Sequence, residues 1–156
     1  MAALSRSNSM DPKIVGLIGA GLVMGIASLG AAWGMGISGA ATIGAWKRCY
    51  KANKPAPMTL LAFVGFPLTE VFYGYILLRQ FMGVSITADN AGLILGMGIG
   101  SGMAIGLVGL AEGWTGAAAA DSLTETGKGF ANYVAVLGIC ETVALFVMVL
   151  SMIMIG

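Results

Sequence analysis

The chain contains no histidine and very little charge: 10% of its 156 residues are Asp, Glu, Lys or Arg, and its formal net charge is +1. Without histidine, any proton chemistry falls to carboxylates, and the commonest metal ligand is missing. The weak charge balance offers no footprint for a nucleic acid or an acidic partner. Two cysteines, Cys49 and Cys140, fit neither a disulfide framework nor a metal-ligand spacing. What is present is apolar and small. Hydrophobic residues make up 58%, with 25 glycines and 11 methionines, a balance far from that of a water-soluble domain.

Apolar runs fall at 14–46, 58–83, 91–120 and 130–155. Each reaches the roughly 20 helical residues that a hydrocarbon core requires. Their continuity lacks the two-residue alternation of barrel strands, and helices satisfy their own backbone groups in lipid. The first run is far longer than the roughly 7–15 residues of a signal-peptide core and is read as retained. The expectation is an all-α membrane protein with four transmembrane helices as two tandem hairpins. A tail at 1–13 precedes hairpins at 14–83 and 91–156. The connection at 47–57 carries Lys47, Arg48, Lys51 and Lys54, whereas 84–90 carries no base. The positive-inside rule places 47–57 in the cytoplasm, and alternation then places 121–129 there as well. Both termini face the other side, although Arg6 and Lys13 reduce the contrast.

The two halves resemble each other. Residues 30–41, GAAWGMGISGAA, can be laid on 109–120, GLAEGWTGAAAA, keeping Gly30/Gly109, Ala32/Ala111, Gly34/Gly113 and the closing alanine pair. The first helix of each hairpin is crowded with glycines four residues apart, such as Gly21 and Gly25, Gly30 and Gly34, and Gly92, Gly96 and Gly100. This spacing lets helix backbones approach closely in lipid, either within one bundle or as the inner layer of a ring. Gly19, Ala20, Gly21 and Gly25 approximate a dinucleotide fingerprint, but inside a membrane span, with no preceding strand, the motif carries no meaning.

Three acids lie within the apolar runs. Glu70 stands twelve residues into the second and Glu141 eleven into the fourth, both near the bilayer centre, with Glu112 at a comparable depth in the third. An ionised carboxylate there costs at least ~2.5–3.5 kcal/mol, so such residues are functional, protonated or paired. A protonated glutamate tying two helices together is the plainest role. No intramembrane Lys or Arg stands beside them, and Arg79, nine residues past Glu70, can snorkel to the interface. The counter-charge must therefore be a proton, a metal ion or a residue of another protein. Thr69, Tyr73 and Thr142 supply hydroxyls near these acids, of a kind that suits a hard cation or a protonated acid. Pro67 removes a backbone donor and frees the carbonyl of Phe63.

Taken together, the glycine-rich first helix of each hairpin, PLTEVFYG at 67–74, and ICET at 139–142 with Glu112 one helix earlier resemble the proteolipid (c or K) subunit of V-type and archaeal-type rotary ATPases in its double-hairpin form. The resemblance implies a membrane rotor ring of identical copies that carries H+ or Na+, with Glu141 as the essential carboxylate. It implies a stator subunit whose intramembrane arginine displaces the ion, a central-stalk subunit at the cytoplasmic loops 47–57 and 121–129, and no nucleotide site or cofactor in this chain. It also implies Thr69, Tyr73 and the Phe66 carbonyl as ligands if the ion is Na+, together with Glu70 and Glu112. Those two stand where sodium-binding members carry glutamines, and three carboxylates around one Na+ leave excess charge unless some hold protons. Glu70 is thus either a co-ligand or a second carrier. A small proton-coupled secondary transporter and a structural membrane scaffold are the competing readings, and the second leaves three buried acids unused.

Overall fold

The computed structural model describes residues 10–156. The first nine residues of the expected tail, with Arg6, lie outside the described residues. Four helices are long and apolar enough to cross a membrane: α1 (Pro12–Lys51), α2 (Met58–Gly83), α3 (Ala91–Thr126) and α4 (Phe130–Ile155). No strand occurs among the described residues. The chain is an all-helical integral membrane protein.

Local signals account for the helix ends. Asp11 caps α1 by accepting a 2.9 Å hydrogen bond from the Lys13 amide, and Pro12 occupies the first turn, where its missing N–H costs nothing. Gly127 ends α3 in the left-handed conformation, φ 67°, and its N–H donates to the Leu123 carbonyl. Two helices run past their apolar stretches. α1 takes in Lys47, Arg48 and Lys51, and α3 takes in Asp121 and Glu125, so the connections expected at 47–57 and 121–129 contract to 52–57 and 127–129. Lipid depth limits where apolar residues are needed. It does not limit a helix, whose backbone remains satisfied in the headgroup layer.

α1 and α3 lie side by side and parallel. Glycines make the seam: Gly19 meets Gly98, Gly30 meets Gly106, and Gly34 meets Gly109 and Gly113, with backbone against backbone, so that a side chain on any of them would collide with the facing helix. At the loop end Arg48 of α1 pairs with Asp121 of α3. α2 covers the junction of this pair: Gly74 rests on Met24 and Ala27 of α1, and Phe63 reaches Gly116 of α3. Leu60, Phe63, Leu77 and Phe81 of α2 are fully buried there. α4 packs on α3 and the edge of α2, and buries only Leu137, Ala144 and Ser151. Its remaining large side chains, among them Phe146, Leu150 and Ile153, are exposed, as suits a face toward lipid.

α2 is not uniform. Met58–Leu60 and Phe66–Leu68 are 3₁₀ turns, the second containing Pro67. Proline cannot supply the helical donor to Phe63, and the chain tightens around it. Three residues wound at 3.0 per turn instead of 3.6 rotate the rest of the helix by roughly 60° about its axis. Glu70 is the second residue after this turn.

Candidate functional site

The three membrane acids occupy two kinds of environment. Glu70 is completely buried, with its Cγ against Gly109 of α3, where an added Cβ would stand 3.1 Å away. Glu112, three residues after Gly109 on the same helix, is also completely buried. None of their four carboxyl oxygens has a hydrogen-bond partner among the described residues. Glu141 on α4 is only partly buried, and its Oε1 accepts a 2.8 Å hydrogen bond from the Tyr73 hydroxyl across the α2–α4 contact.

The other expected ligands divide similarly. Thr69, the residue between the 3₁₀ turn and Glu70, donates through Oγ1 to the Phe66 carbonyl at 2.8 Å, which brings these two oxygens together just ahead of Glu70. Thr142 is exposed and donates to the Ile139 carbonyl of its own helix at 2.6 Å. It is turned to the outer surface and does not join the others. The Phe63 carbonyl, freed by Pro67, faces Gly116 at 2.7 Å from where a Cβ would stand. Among the described residues no three carboxylate or thiol side chains converge into a group that could hold a metal ion. A sodium ion here would have to draw on hydroxyl and carbonyl oxygens as well as on Glu141.

Burying an ionised carboxylate without a partner is costly. Among the described residues the one ion pair, Arg48–Asp121, lies at the loop end of α1 and α3. Glu70 and Glu112 therefore require protons or a bound cation. Glu141, hydrogen-bonded once and partly exposed, can be reached from outside the bundle.

In the sequence Gly109 stands out only as a repeat match of Gly30, and Gly116 does not stand out at all. Their part, making room for the Glu70 side chain and for the Phe63 carbonyl, depends on which helix faces them. A buried hydroxyl pair, Ser101 and Ser151 at 2.7 Å, joins α3 to α4 and gave no sequence signal.

Comparison with known proteins agrees with this architecture. The family model for the C subunit of ATP synthase matches residues 18–77, which cover most of α1 and α2. An A-type ATP synthase subunit K from Methanocaldococcus jannaschii is 35% identical over 114 residues, 73% of this chain and 48% of that protein. The chain thus spans about half the length of the curated relative it matches. With four membrane-length helices, glycine-seamed parallel α1 and α3, and carboxylates on the covering helices, the chain belongs to the proteolipid (c/K) subunit family of A-type and V-type ATPases.

Proposed function

We propose that this chain is the ion-translocating subunit of a rotary ATPase rotor ring, and that Glu141 loads and unloads one H+ or Na+ at each passage of the stator. The observation that carries the reading is the setting of Glu141: a partly exposed carboxylate deep in a membrane span, held by the single hydroxyl of Tyr73. A permanent counter-ion would lock the site. A lone neutral donor orients the carboxylate and leaves its charge to be met by a mobile cation or by a stator arginine.

Glu70 and Glu112 act as co-ligands or proton-holding neighbours behind Glu141, because both are sealed inside the bundle. Glu70 facing Gly109 speaks against its serving as a second, independent carrier. Thr69, Tyr73 and the Phe66 carbonyl complete a sodium site if Na+ is the cargo, and Thr142 takes no part. The basic end of α1 and the short connections at 52–57 and 127–129 form the cytoplasmic surface offered to a central stalk. The ring sits in the cell membrane of a prokaryote, and ATP chemistry belongs to other subunits of the complex.

Dicyclohexylcarbodiimide labelling tests this directly. Glu141 should be the modified residue, and Glu141→Gln should abolish ATP-driven ion transport. An unreactive Glu141, or a Gln variant that still transports, defeats the reading. Protection of Glu141 by Na+ across neutral pH identifies sodium as cargo, whereas protection by acid alone identifies protons.

A further inference from the structure

The seam inside the chain consumes one face of α1 and one of α3 and leaves much of the rest of each helix bare, with a groove of about 220 Å³ beside Gly30 and Gly106 that is bordered by both Leu29 and Leu107. On α1, Gly21, Gly25 and Gly36 have open space where a side chain would stand, and Leu29 is 66% exposed. On α3, Gly96 and Gly100 are open in the same way, and Leu107 is 62% exposed. Beside this bare face of α3, apolar grooves of about 360 and 230 Å³ run along α4, the larger lined by Leu107, Ala111 and Cys140 and the smaller by Thr115 and Tyr133.

A repeat register two residues shorter than the 30–41/109–120 pairing relates these faces. It lays Gly19, Gly21 and Gly25 on Gly96, Gly98 and Gly102, and Gly36, Gly39, Ala40 and Ala41 on Gly113, Gly116, Ala117 and Ala118. In this register the α3 residues that meet α1 within the chain, Gly98, Gly102, Gly106, Gly109 and Gly113, correspond to Gly21, Gly25, Leu29, Ala32 and Gly36, the bare face of α1. Conversely, Gly19, Val23, Gly30 and Gly34 of α1 correspond to Gly96, Gly100, Leu107 and Ala111, the bare face of α3. Each flank of the chain thus carries the counterpart of half of its own internal seam. Such a surface is complementary head to tail and not to itself, which is the condition for a closed cyclic assembly.

The correspondence departs most at one level, although Val23 also corresponds to Gly100, Gly34 to Ala111 and Gly109 to Ala32. Where Gly30 touches Gly106 inside the chain, the equivalent pair between copies is Leu107 and Leu29. Leu107 lies two residues from Gly109, the residue against Glu70, so the break falls at the depth of the carboxylates. We propose that neighbouring copies meet with Gly96 against Gly21, Gly100 against Gly25 and Leu107 against Leu29 of the next copy, and that the leucine pair holds this seam wider at mid-membrane than the glycine seam within the chain. The inference rests on the ring reading for its occupant, a second copy of this chain, and adds the register and the alternation of tight and spaced seams.

Single-cysteine chains carrying two different tags, coexpressed in a Cys49→Ala/Cys140→Ala background, test it. A disulfide needs Cα atoms within roughly 4.4–6.8 Å. Gly25→Cys chains mixed with Gly100→Cys chains should give an oxidised dimer bearing both tags, as should Gly21→Cys with Gly96→Cys if the first pair assembles poorly. Leu29→Cys with Leu107→Cys should resist direct oxidation and be joined by a longer bis-maleimide. Direct disulfide formation at 29/107 as efficient as at 25/100 overturns the spacer. Dimers from any one variant alone, or an intact ring in which no pair joins, overturn the register. Native mass spectrometry of the unsubstituted chain keeps the two readings apart: monomers or two-copy species alone would defeat the ring itself.

Discussion

The two hairpins place a glutamate at nearly the same depth of their second helices, and the structure treats the two acids oppositely. Glu70 on α2 is sealed against Gly109, with no hydrogen-bond partner among the described residues. Glu141 on α4 stays partly exposed and is held by Tyr73. The difference comes from what each helix covers. α2 spans the junction of α1 and α3, so its inner face is enclosed on two sides. α4 rests on α3 and the edge of α2, and within one chain its other flank is bare. The 3₁₀ turn at Phe66–Leu68 adds a rotation just ahead of Glu70 that α4, a continuous α-helix, lacks. Similar sequence therefore yields unequal environments once the two hairpins occupy unequal positions, one acid enclosed and the other accessible.

The most direct challenge to this contrast is to neutralise each acid in turn. Glu141→Gln is expected to abolish ATP-driven ion transport and carbodiimide labelling, whereas Glu70→Gln should retain measurable transport in the reconstituted complex. Equal loss in both variants would make the hairpins equivalent carriers. Next in size is the seam that fixes the geometry of both sites. Gly30→Leu forces a side chain into the Gly106 backbone, an overpacking that costs at least about 1–3 kcal/mol, and it should eliminate the detergent-resistant assembly on native gels. Gly25→Ala, on the open face of the same helix, should leave the monomer's helicity by circular dichroism unchanged. Tyr73→Phe removes the only donor to Glu141 among the described residues. A hydrogen bond to a charged group contributes about 1.5–3 kcal/mol, so transport at limiting ion concentration should fall about tenfold or more, with the ring still intact. The smallest effects are expected where the hairpins meet solvent or lipid. Asp121→Asn breaks an ion pair whose members are about half exposed, worth about 0–1 kcal/mol, and should lower thermal stability in detergent only marginally. Thr142→Ala should leave transport unchanged, and a loss there would bring the outer face of α4 into the site.

Much of this was legible in advance. Four spans follow from apolar runs of membrane length, and the three acids stand out because each is costly at its depth. The helix ends did not follow. Lys47, Arg48, Asp121 and Glu125 read as loop residues, yet they extend α1 and α3 beyond the lipid, because polarity marks the membrane boundary and not the end of a helix. The repeat was visible as matching glycines, but its register needed contacts. Two alignments two residues apart both match glycines, and the contacts of Gly98, Gly106 and Gly113 show which of those glycines the chain's own seam uses.

Hydropathy and spacing along the chain suffice to count the membrane helices, to set the depth of the carboxylates, and to show that no Lys or Arg stands beside them along those spans. Which of those carboxylates faces inward is settled only by the packing of the helices. In water, hydropathy separates a buried face from an exposed one. In lipid, the outer surface is as apolar as the core, so the rotation of each helix about its axis leaves no hydropathic trace. That rotation is set here by a glycine seam that brings α1 and α3 into backbone contact and by a proline turn that directs Glu70 into the space beside Gly109.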